Sequence, residues 1–132
     1  HHLIPVIHGD VILDKKTGWT IFSGEKILNI IAIELIKKGY PIKRMIEVGD
    51  TAGVYDDNKQ TIAEITPENI DQVEKYISGS GNTDVTGGML HKVKEAIDLT
   101  TQGVSTFLIS SISGNLNAVI NNASFEGTLI TK

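Results

Sequence analysis

The chain of 132 residues contains no cysteine. This absence excludes disulfide bonds and metal sites built from thiolates, and it fits a protein of the reducing cytoplasm, where we expect this one to act. Basic residues are also few, because 12 lysines and arginines stand against 16 aspartates and glutamates, for a net charge of −4. The basic residues are dispersed, so nothing in the sequence predicts binding to the phosphate backbone of nucleic acids.

Long apolar runs are missing as well. A membrane-spanning helix needs about 20 apolar residues in succession. The sequence contains no such run and no signal-peptide pattern, so we expect no membrane partner. The four histidines are not spaced as metal ligands, and we therefore predict no metal site on the chain itself.

What the sequence does contain is an alternation of apolar runs and amphipathic stretches. Apolar residues make up 40% of the chain, which suffices for one domain over residues 1–132. Alternating strands and helices are typical of the α/β class, and we predict a mainly parallel open sheet sandwiched by helices. Strands are predicted over residues 3–8, 11–13, 19–22, 43–48, 61–65, 105–110 and 127–130, and helices over 24–38, 66–76, 88–102 and 114–120. The helix over 24–38 has a wide apolar surface, which predicts burial between layers.

Residues 84–92 carry the most informative motif, in which a glycine pair, Gly87 and Gly88, precedes Lys92 by about one helical turn. Glycines let the backbone approach a ligand closely, and the first N–H groups of a helix point outward at the positive end of its dipole. Lys92 leans back toward the same anion. Such a loop suits a polyphosphate. Spacing alone leaves one alternative open, an ordinary surface helix with Thr86 as its N-cap and Lys92 in solvent.

The loop that follows the predicted strand 43–48 is a second candidate site. It contains Asp50, Gly53 and Tyr55 among small residues. Ligands of open parallel sheets bind beyond the carboxyl ends of the strands, which favours a ligand-binding role for this loop. The alternatives are that Asp50 only forms the turn and that Tyr55 only packs against the loop.

Five segments, taken in order, carry a resemblance to a known family. The most specific is Asn-Thr-Asp-Val-Thr-Gly-Gly-Met at residues 82–89, followed by Lys92. The others are Pro5–Val11, Ser23-Gly24-Glu25, Asp50 with Gly53-Val54-Tyr55, and Gly114-Asn115 with Gly127-Thr128. Together they resemble the carboxy-terminal, nucleotide-binding half of the amino acid kinase superfamily, and within it the isopentenyl phosphate kinases. The resemblance covers essentially the whole chain.

The resemblance implies transfer of the terminal phosphate of ATP, with Mg²⁺ on the nucleotide, to a small phosphorylated substrate. Lys92 would be the catalytic residue, because it would contact the transferred phosphate and stabilise the charge that develops there. The implied nucleotide site comprises Asp50, Gly53, Tyr55, Gly87, Gly88 and Lys92. We expect replacement of Lys92 to affect transfer and not the fold, because partly exposed lysines contribute little to stability.

The acceptor implied by the resemblance is isopentenyl phosphate, which Gly9 would approach at its strand end. Members of this family carry a further amino-terminal half with glycine-rich loops and most of the acceptor pocket. We therefore expect a second chain that supplies this half, and a homo-oligomer is a further possibility. A related kinase with a different acceptor, or a noncatalytic nucleotide-binding or regulatory module, remains the alternative.

Overall fold

The computed structural model describes residue 4 and residues 6–79, 88–112 and 114–132. The chain divides into two compact units, residues 1–42 and residues 43–132. The first unit contains β1 (Asp10–Asp14), β2 (Gly18–Phe22) and α1 (Gly24–Lys37). The second contains β3 (Arg44–Gly49), β4 (Glu64–Ile65), α2 (Ile70–Gly79), α3 (Gly88–Thr100), β5 (Ser105–Ser110), α4 (Asn115–Ile120) and β6 (Gly127–Ile130).

The first unit contains a β-hairpin. β1 and β2 pair antiparallel, with Asp10 opposite Phe22 and Asp14 opposite Gly18. The Asp14 carboxylate closes the turn, because its Oδ1 accepts hydrogen bonds from the backbone N–H groups of Lys16 at 2.9 Å and Thr17 at 2.8 Å. Gly18 follows with a φ of 80°, a conformation that glycine adopts without steric cost.

Helix α1 begins and ends where its sequence predicts, but its burial differs from the prediction. The side chain of the N-cap Ser23 accepts a hydrogen bond from the backbone N–H of Lys26. Among the described residues of the first unit, Ala32 is the one buried apolar side chain. Leu28, Ile30 and Ile31 are 41%, 49% and 40% exposed, so the prediction that this helix is buried between layers was wrong.

The second unit is built on a four-stranded sheet in the order β3-β5-β6-β4. β3 pairs parallel with β5, β4 pairs parallel with β6, and β5 pairs antiparallel with β6. This arrangement confirms the predicted α/β class with a mainly parallel sheet. Gly49 is in register with Ser110, so the parallel strands β3 and β5 end side by side.

Helix α3 provides most of the cover of this sheet. Its Val93 and Ala96 are buried in one cluster with Leu108 of β5 and Ile130 of β6. Val73 of α2 belongs to the same cluster, and α4 packs against β5. The core therefore lies between the sheet and the helix that begins at Gly88, which fixes the position of the start of α3 over the sheet.

Three predicted elements differ clearly from the structure. The described residues before Asp10 form no strand, and Val6 is 93% exposed, because within its unit this run has no strand partner to satisfy its backbone. The predicted strand 61–65 is reduced to β4 and a single bridge between Thr61 and Tyr55. Helix α2 begins at Ile70 instead of residue 66, since the Asn69 side chain accepts from the N–H of Thr66 and holds a turn there.

Candidate functional site

The start of α3 provides the backbone of the candidate site. Gly88 is the first residue of this 13-residue helix, and the first N–H groups of a helix have no partner within it. These donors lie at the positive end of the helix dipole, so the helix start favours an anion. Gly87 lies in the segment 80–87, outside the described residues, and its predicted role stays a prediction.

Lys92, one turn into α3, points toward the sheet. Its Nζ lies 3.4 Å from Oε2 of Glu47 on β3, and the two side chains are 34% and 12% exposed. A lysine held against a strand at this depth is not the solvated surface residue of the alternative interpretation. The ion pair places the ammonium group close to the carboxyl end of β3, two residues before that strand ends at Gly49.

The loop after β3 brings three predicted residues together. Asp50 is exposed directly after the strand. Tyr55 is 40% exposed, and its Oη accepts a hydrogen bond of 3.2 Å from the backbone N–H of Ala52. This bond closes the loop over residues 52–55 and leaves part of the Tyr55 ring accessible, an arrangement that permits contact with a flat ligand such as a nucleobase.

Gly53 is required by the packing of this loop. Its φ is 145°, and a Cβ at this position would lie 2.4 Å from Oγ1 of Thr128. That hydroxyl accepts from the N–H of Val54 at 2.9 Å and donates to the carbonyl of Ile62 at 2.7 Å. Gly53 therefore lets the loop dock onto β6, a structural role that stands beside the predicted contact with nucleotide.

The loop and the helix start belong to one end of the second unit. Val54 of the loop and Val93 of α3 are buried in the same core cluster, and the Glu47–Lys92 contact joins β3 to the first turns of α3. The structure thus brings Asp50, Gly53, Tyr55, Gly88 and Lys92 to the carboxyl end of the parallel strands, where α/β sheets bind ligands.

Gly9 lies in the first unit. A Cβ at Gly9 would be 2.9 Å from the carbonyl oxygen of Phe22 and 3.0 Å from the backbone N of Gly24. The backbone of Gly9 consequently lies directly against the start of α1, whose first turn carries Glu25. This close packing by itself explains why position 9 is glycine. The predicted contact of Gly9 with the acceptor stays a prediction.

Two residues of the site were missed by sequence reasoning. Glu47 interrupts the apolar run of residues 45–48 in β3, and a charge at an inward-facing strand position is the signal that could have revealed it. Ser110 is 6% exposed at the end of β5, and its hydroxyl has no hydrogen-bond partner among the described residues. Serine at the end of a strand is common, so no sequence pattern distinguishes Ser110.

Glu47, Ser110 and Lys92 share one face of the sheet. Glu47 is in register with Leu108, whose side chain packs in the cluster formed with α3. Side chains alternate along a strand, so Ser110 lies on the same face as Leu108. A buried hydroxyl and a nearly buried carboxylate therefore lie on the face of the sheet that α3 covers, where the Lys92 ammonium group contacts the carboxylate.

The helix α3 also contains an ion pair within a single turn. His91, next to Lys92 in sequence, contacts Oε1 of Glu95 through its Nε2 at 2.8 Å. Among the described residues, no group of three or more histidine, aspartate or glutamate side chains is placed to hold a metal ion. None of the helices in the described part of the chain combines the length and apolar character that crossing a membrane requires.

Comparison with known proteins gives consistent matches. The sequence profile of the amino acid kinase family matches residues 1–110. The isopentenyl phosphate kinase of Methanocaldococcus jannaschii is 41% identical over 92 residues, covering 70% of this chain and 33% of the relative. That of Methanothermobacter thermautotrophicus is 32% identical over 136 aligned positions, covering 98% of this chain and 49% of the relative. The chain thus spans half or less of the length of these relatives.

Solved structures show the same fold. An X-ray structure of isopentenyl phosphate kinase superposes with a TM-score of 0.66 at 24% identity, covering 96% of this chain and 44% of the other. A product complex of the isopentenyl phosphate kinase from T. acidophilum gives a TM-score of 0.61 at 22% identity, covering 93% of this chain and 45% of the other.

Proposed function

Because the chain belongs to the amino acid kinase family, we propose that it supplies the nucleotide-binding half of an ATP-dependent kinase that converts isopentenyl phosphate to isopentenyl diphosphate. One observation carries this proposal: the ammonium group of Lys92 is held inward beside the start of α3, close to the carboxyl end of β3. The choice of isopentenyl phosphate as the acceptor follows from the relatives, which are isopentenyl phosphate kinases.

In the proposed reaction the bond between the terminal phosphorus of ATP and its bridging oxygen breaks, and an oxygen of isopentenyl phosphate forms a new bond to that phosphorus. ADP leaves with the bridging oxygen. Such transfer needs positioning and neutralisation of charge more than covalent participation of the protein. Mg²⁺ would arrive on the nucleotide and neutralise part of its charge.

The residues of the chain would divide this work between them. Lys92 stabilises the charge on the transferred phosphate, and Gly88, with Gly87 before it, donates backbone N–H groups to the phosphates. The loop after β3 lines the nucleotide site. Its three contributing residues are Asp50, Gly53 and Tyr55.

The binding site for the acceptor would be formed by Gly9 together with a second part of the enzyme. Gly9 offers a close-packed backbone at the start of α1, which suits the approach of a phosphate to the N–H groups of that helix. We assign the remaining acceptor pocket to an amino-terminal half supplied by another chain in the cytoplasm, because the relatives are at least twice as long as the part matched here. Pairing of two copies of the resulting enzyme is part of the same proposal.

Native mass spectrometry followed by calorimetric titration with ATP tests the proposal. We expect a second chain in the complex, binding of ATP, and formation of isopentenyl diphosphate when isopentenyl phosphate is added. A protein that binds ATP but transfers no phosphate would support the noncatalytic module instead. A protein that binds no ATP would contradict both.

Lys92→Ala should lower the rate of transfer by roughly 10²–10³-fold, as expected for loss of one donor to a developing charge. Lys94 on the same helix pairs with Glu74 at 3.1 Å and provides the matched control, since Lys94→Ala removes a lysine of α3 without touching the Glu47 pair. Equal rates for the two variants would contradict the role of Lys92.

A further inference from the structure

The position of Glu47 is unusual for a charged residue. It follows Ile46 and precedes Val48 in the sequence of β3, and its side chain is 12% exposed. Removing a carboxylate from water is costly unless a cation and hydrogen bonds compensate it. The Lys92 ammonium group at 3.4 Å supplies that cation, so the two residues form a charge pair built into the interface between β3 and α3.

This pair involves the same ammonium group that the proposed function assigns to the transferred phosphate. A polyphosphate that approaches the start of α3 meets a lysine whose charge is already partly neutralised. It also meets the negative charge of Glu47 on the far side of that lysine. Because the interaction between charges is strong at partly buried positions, both effects lower the gain in free energy on binding the polyphosphate.

We propose that Glu47 is an internal counter-anion of Lys92 that competes with the polyphosphate and thereby sets the affinity of the site for nucleotide. The inference rests on the proposed function, since it takes the start of α3 as the phosphate site. Glu47 acts through Lys92 and is a positioning residue. In the absence of nucleotide it holds the ammonium group against the sheet, and on binding it yields part of this contact to the phosphate.

Ser110 provides independent support for a ligand at this position. Its hydroxyl is buried on the face that carries Glu47 and has no hydrogen-bond partner among the described residues. An unpartnered buried hydroxyl is costly within a folded protein. An anion bound on this face of the sheet would give the hydroxyl an acceptor, so the face offers a hydrogen-bond donor in addition to the ammonium group of Lys92.

Replacing Glu47 by glutamine tests the competition, with inorganic triphosphate as the probe. Glutamine keeps the shape of the side chain and removes its charge. We expect Glu47→Gln to bind triphosphate about tenfold more tightly than the unmodified protein in isothermal titration. Adenosine, which carries no phosphate, should bind equally to both, whereas a general disturbance of the fold would weaken both ligands.

Three further variants separate competition from a structural role. Glu74→Gln breaks the Glu74–Lys94 pair between α2 and α3 and should leave triphosphate affinity unchanged. Glu47→Asp keeps the charge on a shorter side chain and should give an affinity between those of the unmodified protein and Glu47→Gln. In a Lys92→Ala background, Glu47→Gln should lose most of its effect, because the competition acts through that lysine.

The outcomes distinguish this inference from the function on which it rests. If the unmodified protein binds triphosphate and Lys92→Ala weakens binding, but Glu47→Gln binds no more tightly, the competition is refuted and the proposed function stands. If neither the unmodified protein nor Glu47→Gln binds triphosphate, both are refuted. Tighter binding by Glu47→Gln that persists at full size in the Lys92→Ala background would refute the mechanism through Lys92.

Discussion

At the scale of single residues, the site depends on contacts between positions far apart in the sequence. The Lys92 ammonium group contacts the Glu47 carboxylate on β3. Gly53 packs so closely against Thr128 on β6 that no Cβ fits there. Each of these residues therefore has a structural role as well as the proposed contact with nucleotide. Substitutions at these positions must be judged by stability and by binding together.

Lys92→Ala should lower the stability of the protein, against the expectation from sequence that only transfer would suffer. The variant leaves the carboxylate of Glu47, which is 12% exposed, without this cation. We expect a loss of about 1–2 kcal/mol in the free energy of unfolding, smaller than for a fully buried pair because Lys92 is partly exposed. Urea denaturation of Lys92→Ala and of the unmodified protein measures this difference in the free energy of unfolding.

A second substitution shows whether the lost stability comes from the charge. Adding Glu47→Gln to Lys92→Ala should recover most of the loss, since the side chain that lost this cation then carries no charge. Lys94→Ala, which breaks a more exposed pair, should cost less than about 0.5 kcal/mol. A double variant as unstable as Lys92→Ala alone would show that the lysine stabilises the fold in another way.

Gly53→Ala should be strongly destabilising, by about 3 kcal/mol, because the new methyl group would collide with Thr128 in a backbone conformation that alanine avoids. Gly103 is the matched control. It also has a positive φ, of 75°, but nothing lies within 4 Å of a Cβ there, so Gly103→Ala should cost about 1 kcal/mol. Equal losses of thermal stability would argue against the collision.

At the scale of elements, most helices and strands follow from local sequence. The glycines that follow α1 and α3 and the short apolar run in β5 predict these elements within a few residues. The exceptions are elements whose existence depends on a partner. The run before Asp10 has strand composition but pairs with no strand in its unit, and α1 has an apolar surface that its own unit does not bury.

The hairpin of β1 and β2 offers a prediction about pH. Hydrogen bonds from the backbone and side chain of Thr17 lower the pKa of the Asp14 carboxyl group below its ordinary value. A lowered pKa in the folded state means that the stabilising contribution is complete above the unfolded pKa, about 4, and is lost as pH falls through the folded value. Asp14→Ala should therefore weaken the hairpin at pH 7, and the difference should vanish at strongly acidic pH.

Fluorescence of Trp19, the single tryptophan of the chain, measures this effect because Trp19 is opposite Leu13 in the hairpin. Thermal melting followed at this residue should show the difference between the protein and Asp14→Ala shrinking below about pH 4. Lys15→Ala in the same turn is the control and should show no such pH dependence. A difference that stays constant into acid would mean that the charge of Asp14 is irrelevant to the turn.

At the scale of the whole molecule, burial is distributed unevenly. The buried apolar cluster of Val54, Ile65, Val73, Val93, Ala96, Leu108 and Ile130 lies in residues 43–132. In the described part of residues 1–42, Ala32 is the one apolar side chain that is buried. The free energy that stabilises the fold is therefore concentrated in the second unit, which also carries Lys92 and the loop after β3.

Residues 43–132 should fold when produced alone, with a single cooperative transition in urea, because this unit contains its own sheet and core. Residues 1–42 should remain largely unfolded, since a chain of this length rarely buries enough apolar surface. Circular dichroism and dispersion of NMR amide signals measure both. A 43–132 fragment without a cooperative transition would show that the two units fold only together.

The sequence by itself determined the order of the elements, the α/β class and the family, because apolar periodicity, glycine positions and the motif around Gly87 and Gly88 are local patterns. Only the tertiary structure decided that Lys92 faces Glu47, that Gly53 must be glycine because of Thr128, and that Ser110 is buried beside the site. These relations depend on strand register and on where α3 crosses the sheet. Long-range packing of the core sets the strand register and the position of α3, and neither can be predicted from a short stretch of sequence.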